Sequence, residues 1–169
     1  MKKLVLSLII FSLTFGMYSQ IEQLSEVIIA PLNYRYLNAV NTEDTDSAVK
    51  LLEEKVAMYD LKGSELYDDE YETYTVSFYI PEGIILAAYD KDGKVIRTIE
   101  KFQNVKLPIA VQNSINRRFP NWKLEKDIYF VTYHLDNDDA SKVRKQYKMT
   151  LRNDDEVIRI KANEDGDFL

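Results

Sequence analysis

The sequence contains no cysteine, and among its 169 residues there is a single histidine, His134. Without cysteine the chain cannot form disulfides, bind zinc through thiolates, use a thiol nucleophile or carry a lipid on an N-terminal cysteine. With one histidine, a metal site would need almost entirely oxygen ligands. We therefore expect no metal and no cofactor, and a stability that depends on the hydrophobic core.

Positive charge is also in the minority. Lys and Arg together number 22 against 28 Asp and Glu, which gives a formal net charge of -6. Nucleic acids and anionic membrane surfaces are bound by basic side chains that neutralise phosphates, so we expect neither as a partner. The hydrophobic fraction of 46% is ordinary for a globular protein, and it allows one core or two small fused ones.

The N-terminus, "MKKLVLSLIIFSLTFGMYSQ", has the pattern of a secretory signal peptide. Two lysines precede an apolar run, residues 4–15, and a short polar stretch with small Gly16 and Ser19 follows. An uncleaved anchor is the alternative, but a helix of that run reaches about 18 Å, short of a hydrocarbon core of about 30 Å. We predict a signal peptide at 1–19 and a periplasmic or secreted protein with no stable membrane anchor after cleavage.

A turn repeats along the rest of the chain. Asp92-Gly93 and Asp165-Gly166 lie 73 positions apart, and at the same offset "YTVSF" (74–78) falls on "YKMTL" (147–151). Apolar positions coincide without a gap, which indicates an internal repeat of one hairpin unit. We expect a first half at 20–102 and a second half at 103–169, with one compact unit as the alternative.

Strands are predicted where apolar residues alternate between turns. "YETYTVSFYI" (71–80) places Tyr74, Val76, Phe78 and Ile80 on one face, and each Asp-Gly pair supplies the positive φ of a tight hairpin. Further predicted strands are "IILAAY", "KVIRTIEKF", "DIYFVTYHL", "RKQYKMTLR" and "EVIRIKA".

Two segments have helical spacing. Residues 107–119 bring Leu107, Val111, Ile115 and Phe119 onto one face, and residues 47–59 do the same with Val49, Leu52, Val56 and Tyr59 after a cap at Thr45 or Asp46. Residues 26–40, which contain Pro31, look extended. The order of elements predicts an α+β fold, an antiparallel sheet with helices packed on one face.

Four segments carry a family resemblance: "YDKDGKVIRTIEKF", "LPIAVQNSINRRFPNW", "KDIYFVTYH" and "KANEDGDFL". They resemble the small exported PepSY-like, or β-lactamase-inhibitor-protein-like, proteins of Bacteroidetes-type bacteria, over about residues 24 to 169. The resemblance implies two tandem α/β repeats, which in the inhibitor form a joined sheet that clamps an enzyme. No residue here matches that inhibitor's contact residues, so β-lactamase is not the expected target.

No catalytic motif is present. There is no GxGxxG or GxxxxGK[ST] phosphate loop. Some proteins that resemble this one are labelled nicotinate-nucleotide adenylyltransferase, but that activity needs an HxGH-type motif, which a chain with one histidine cannot supply. The Asp-Gly loops do not fit a calcium loop, since Ala88 and Lys161 occupy its first ligand position. His134 with Asp136 could form a general base with its orienting carboxylate, but an exposed polar residue is the favoured interpretation.

Charged runs have ordinary explanations. The acidic runs 68–72, 136–139 and 154–156 suit solvated loops, with a patch for a basic partner as the alternative. The basic stretch "KVRKQYK" (142–148) alternates in facing on a strand, so we expect a solvated edge and no continuous groove for an anion. A pair of carboxylates for glycoside hydrolysis cannot be identified from spacing.

Tyrosine is enriched, with 12 residues, and aromatic residues are common where proteins bind proteins. If Tyr74, Val76 and Phe78 face the helices, the opposite face of the sheet carries a mixture of aromatic and small polar side chains. The predicted binding residues are Thr75, Ser77, Tyr79, Phe130, Thr132, His134, Gln146 and Lys148. We predict a non-catalytic exported binding or inhibitor-like module for a protein or peptide of the cell envelope; a solvated face, or an enzyme without a recognisable motif, are the alternatives.

Overall fold

The computed structural model describes residues 33–137 and 140–169. The predicted signal peptide at 1–19 and the segment 20–32 lie outside the described residues. The helices are α1 (Tyr34–Val40), α2 (Ser47–Ala57) and α3 (Ile109–Arg118). The strands are β1 (Thr73–Ile80), β2 (Gly83–Asp90), β3 (Val95–Gln103), β4 (Lys123–Asn137), β5 (Ala140–Arg152) and β6 (Val157–Ala162).

The six strands form one antiparallel sheet whose order is the order of the chain. Helix α3 lies between β3 and β4, which pair directly, whereas the other neighbouring strands are separated by only two to four residues of the chain. Helices α1 and α2 contact each other and the same sheet, α2 at β1 and β2 and α1 at β4 and β5. The predicted α+β class with an antiparallel sheet is confirmed.

The core lies between the sheet and the helices. Alternate strand residues point into it, and Tyr89, Phe102 and Tyr133 are among the largest fully buried side chains. The rings of Tyr129 and Tyr147, opposite each other on β4 and β5, stack with centroids 4.5 Å apart. This side of the sheet, with the helices on it, is called the covered face below.

The two predicted helices form as their spacing indicates. Asp46 caps α2, since its Oδ1 accepts a hydrogen bond from the N–H of Ala48 at 2.8 Å, and Val49, Leu52 and Val56 are buried. Helix α3 follows Pro108 and ends with Arg117 and Arg118, where positive charge favours the helix dipole.

The prediction of an extended segment is wrong for residues 34–40, which form α1. Tyr36 and Val40 lie about one turn apart and are buried, and the ring of Tyr36 packs edge-on against Tyr133 with centroids 5.2 Å apart. Burial against the sheet therefore outweighs the weak helix propensity of the local sequence. Residues 26–32 of that prediction are outside the described part of the chain.

Both Asp-Gly turns have the predicted positive φ, 82° at Gly93 and 85° at Gly166. The pairings around them also correspond at the offset of 73, since Tyr74↔Tyr89 in β1–β2 matches Tyr147↔Ala162 in β5–β6. At Gly166 a side chain would also lie 2.6 Å from the carbonyl oxygen of Ala110, so only glycine lets this turn approach α3.

Candidate functional site

The side of the sheet opposite α1 and α2 is called the open face below. By strand alternation and pairing register, all eight residues predicted to bind a partner lie on it. Thr75, Ser77 and Tyr79 come from β1, Phe130, Thr132 and His134 from β4, and Gln146 and Lys148 from β5. The side chain of Tyr79 is 78% exposed.

Strands β2 and β3 separate the predicted residues of β1 from those of β4 and β5. Those two strands supply apolar residues that the sequence analysis did not include. Ile84 pairs with Tyr79, and Leu86 pairs with Ile99; Ile84, Leu86 and Ile99 are 39%, 38% and 42% exposed. These four residues form the apolar band. Phe130 lies close to the band on the next strand, because it pairs with Lys101, which in turn pairs with Ile84.

The open face is also rich in cations. Ten basic residues lie on it by strand alternation and register: Arg97, Lys101, Lys123, Lys126, Lys142, Arg144, Lys148, Arg152, Arg159 and Lys161. Lys142 forms an ion pair with Asp136, and Lys148 places its ammonium 4.1 Å from the centroid of the Phe130 ring. Arg152 forms an ion pair with Glu125, and none of the other seven side chains is joined by a hydrogen bond or ion pair to a described residue.

Four of these cations converge on one concave site, called the cationic pocket below, of about 360 Å³. Its polar lining is Lys126, Lys148, Thr150, Arg159 and Lys161, and Ile128 contributes an apolar side chain. Lys148 and Lys161 stand directly opposite each other on β5 and β6. Like charges at directly opposite positions destabilise a sheet. Together with Lys126 and Arg159, these two lysines give the pocket a positive electrostatic potential.

The expectation that residues 142–148 form a solvated edge is wrong, because they lie on β5, which pairs with β4 on one side and with β6 on the other. Alternation within the strand is confirmed, since Lys145 points into the covered face and its Nζ lies 3.0 Å from Oε2 of Glu164. The neighbouring strands β4 and β6, however, place Lys126, Arg159 and Lys161 beside Lys148. Cross-strand register, which the sequence of one strand does not reveal, brings these four cations together.

His134 and Asp136 lie near the end of β4 with Nε2 and Oδ1 3.8 Å apart. Both are solvent-accessible, and a hydrogen bond donated by Lys142 holds the pKa of Asp136 below its ordinary value. Asp136 is therefore engaged mainly with Lys142, and the exposed-polar interpretation of His134 agrees with its position.

A cluster of buried polar groups lies under α1 and α2, on the covered face. Glu53 of α2 and Glu100 of β3 are both fully buried. Oε1 of Glu100 accepts hydrogen bonds from the Tyr36 hydroxyl at 2.8 Å and from the Thr98 hydroxyl at 2.6 Å. The sequence analysis missed this pair, although Glu53 falls on the helix stripe that also contains Val49 and Val56.

Burial and mutual proximity favour one proton shared between Glu53 and Glu100. Burial, followed by the charge of Glu100, raises the pKa of Glu53 to about 9. Burial also raises the pKa of Glu100, against hydrogen bonds from Thr98, Tyr36 and Glu53 that lower it. No N–H or hydroxyl donor among the described residues reaches the oxygens of Glu53, so the proton on Glu53 joins the two carboxyls. Because both are fully buried, neither carboxyl is in contact with solvent.

Within the described residues, no group of three or more His, Cys, Asp or Glu side chains is placed to hold a metal ion. Nor does any helix in the same part of the chain have the length and apolar character to cross a membrane.

No family model matches the chain, and no curated protein or solved structure shows significant similarity to it. The PepSY-like resemblance, the export and the partner therefore stay predictions.

Proposed function

We propose that the protein is a non-catalytic, exported binding or inhibitor-like module that grips a protein or peptide partner of the cell envelope with its open face. The observation that carries the proposal is the apolar band. Tyr79, Ile84, Leu86 and Ile99 are exposed side by side in a sheet whose own core lies on the opposite side. A contiguous exposed apolar patch rimmed by polar residues is typical of an interaction site.

The arrangement suits a polypeptide partner. Aromatic and apolar side chains at the centre of an interface provide most of its binding energy, and Tyr79 and Phe130 can serve as such anchors. Thr75, Ser77, Thr132 and Gln146 surround them with groups that donate and accept hydrogen bonds. The strands are held by the sheet, so the face is ordered before the partner arrives, which lowers the entropic cost of binding.

The proposal includes the tandem arrangement of two PepSY-like, β-lactamase-inhibitor-like halves, 20–102 and 103–169. It is supported by the coinciding registers of β1–β2 and β5–β6 and by the two Asp-Gly turns. Strands β3 and β4 pair from Arg97↔His134 to Gln103↔Ile128, so the two halves contribute to one uninterrupted face.

The test is to identify a partner and then to map its site. The tagged protein is expressed in its own host and cross-linked, and the dominant protein that co-purifies from the envelope fraction is purified for titration. We expect Tyr79→Ala and Phe130→Ala each to weaken binding about tenfold, the effect of losing an anchor worth roughly 1.4 kcal/mol.

Tyr34→Ala provides the matched control, because Tyr34 is 53% exposed but lies on α1, away from the open face. Its affinity for the partner should be unchanged. Hydrogen exchange of the complex should show protection in β1 to β4. Protection confined to the helices, or a loss of binding with Tyr34→Ala alone, would refute the proposal.

A further inference from the structure

The charge of the open face is opposite to that of the chain as a whole. The net charge is -6, yet ten cations lie on this face, and the side chains of seven of them are not paired with any described residue. We infer that the partner presents an acidic segment, with carboxylates in the cationic pocket and apolar side chains on the apolar band. This inference rests on the proposed function and adds the chemistry of the partner.

The first support is an unfavourable arrangement that the fold does not need. Lys148 and Lys161 face each other across β5 and β6, and among the described residues no acidic side chain lines the pocket. Repulsion between them is relieved when an anion lies between them. A bound carboxylate would therefore be stabilised by cations that already lie close together.

Protection of a sheet edge is the competing explanation for such lysines, since charge on an edge strand discourages aggregation. It accounts for Arg159 and Lys161, because β6 is an edge strand. It does not account for Lys126 and Lys148, which lie on the interior strands β4 and β5. The pocket extends inward from the edge, as a binding site requires.

The second support is the apolar surface next to the cations. Ile128 lies within the pocket, and the ring of Phe130 lies under the Lys148 ammonium. A ligand that fills this surface needs anionic and apolar groups a few ångströms apart. Asp and Glu interspersed with apolar residues provide both, and the planar guanidinium of Arg159 can bind a carboxylate through two hydrogen bonds.

The test screens the intact protein against a random peptide library and determines the charge of the peptides that bind. We expect binders enriched in Asp and Glu together with apolar residues. The strongest binder is then synthesised with Gln at every Glu and Asn at every Asp, and this neutral form should bind about tenfold more weakly.

The matched variants remove the same charge from two places. Lys148→Gln with Lys161→Gln should weaken the acidic peptide about tenfold, whereas Lys55→Gln with Lys106→Gln, both exposed and outside the open face, should change affinity by less than about twofold. Rising salt should weaken the acidic peptide and leave its neutral form nearly unchanged.

The outcomes separate the two proposals. Uncharged or basic binders that are lost with Tyr79→Ala would overturn the acidic partner and leave the binding face intact. Binders insensitive to both the lysine and the tyrosine changes, or no binders at all, would overturn both. Preferential binding of phosphatidylglycerol vesicles or of a DNA oligonucleotide, or self-association of the protein through this face, would overturn the acidic polypeptide.

Discussion

The two faces of the sheet are built from alternate residues of the same six strands, yet they follow different rules. On the covered face, stacked tyrosines, Phe102 and the helices exclude solvent, and even two glutamates are accommodated by sharing a proton. On the open face, apolar side chains are left in solvent and lysines face each other. Packing explains the first face completely and the second hardly at all.

That difference is the reason for proposing that the open face binds a partner. A residue that fills the core needs no other explanation, whereas an exposed apolar band and an unpaired cationic pocket lower the stability or solubility of the isolated protein. Real proteins deviate from ideal sequence patterns mainly at functional sites. Substitutions of matched residues on the two faces test this difference.

The largest effect is expected from a matched pair of phenylalanines on neighbouring strands. Phe102→Ala should lower the free energy of unfolding by about 3–5 kcal/mol, because the ring is fully buried and leaves a cavity. Phe130→Ala, on the open face of β4, should cost less than about 1 kcal/mol. Urea unfolding of both variants provides the measurement, and equal losses would contradict the division between the faces.

The shared proton gives a smaller effect that depends on pH. The pKa of Glu53 is raised in the folded state, so folding keeps a proton that the unfolded chain releases above its ordinary pKa of about 4.5. Its stabilising contribution is complete below that pH and is lost as the pH rises toward about 9, with a slope of at most about 1.4 kcal/mol per pH unit.

Glu53→Gln should therefore flatten the dependence of unfolding free energy on pH between about 4.5 and 9. Glutamine can still donate a hydrogen bond to Glu100, and it has no proton to lose. Glu54→Gln, at the exposed neighbouring position of α2, is the control and should keep the wild-type slope. A wild-type profile that is flat over this range would disprove the shared proton.

The smallest effect on stability, and one of opposite sign, is expected on the open face. Lys148→Gln with Lys161→Gln removes repulsion between opposite residues, and it should leave the free energy of unfolding unchanged or raise it by up to about 0.5 kcal/mol. The measurement is thermal or urea unfolding at low salt. A clear loss of stability would mean that these lysines serve the fold and not a ligand.

Periodicity and turn residues predicted α2, α3 and the six strands. In α2, for example, Val49, Leu52 and Val56 recur on one face of the helix, and that face is buried. The same reasoning failed at α1, where only Tyr36 and Val40 mark the buried side and the sheet that they pack against is distant in sequence. A short helix of that kind is stabilised by tertiary contacts, which no local pattern contains.

The candidate site was predicted in part. The alternation of β1, β4 and β5 placed Tyr79, Phe130 and Lys148 on one face, as the register of the sheet confirms. The cationic pocket was missed because Lys126 and Lys161 are far from Lys148 in the chain and become neighbours only through cross-strand pairing. Glu53 and Glu100 were missed for the same reason.

The chain-order arrangement of the sheet also has a consequence for how the protein folds. Each strand pairs with the one before it, and in four of the five pairings only two to four residues separate the strands, so the hairpins can form locally and early. The pairing of β3 with β4 must instead close a loop of residues 104–122, including α3, at a higher entropic cost. Folding speed should therefore depend most on that one closure, which also joins the apolar band to the cationic pocket.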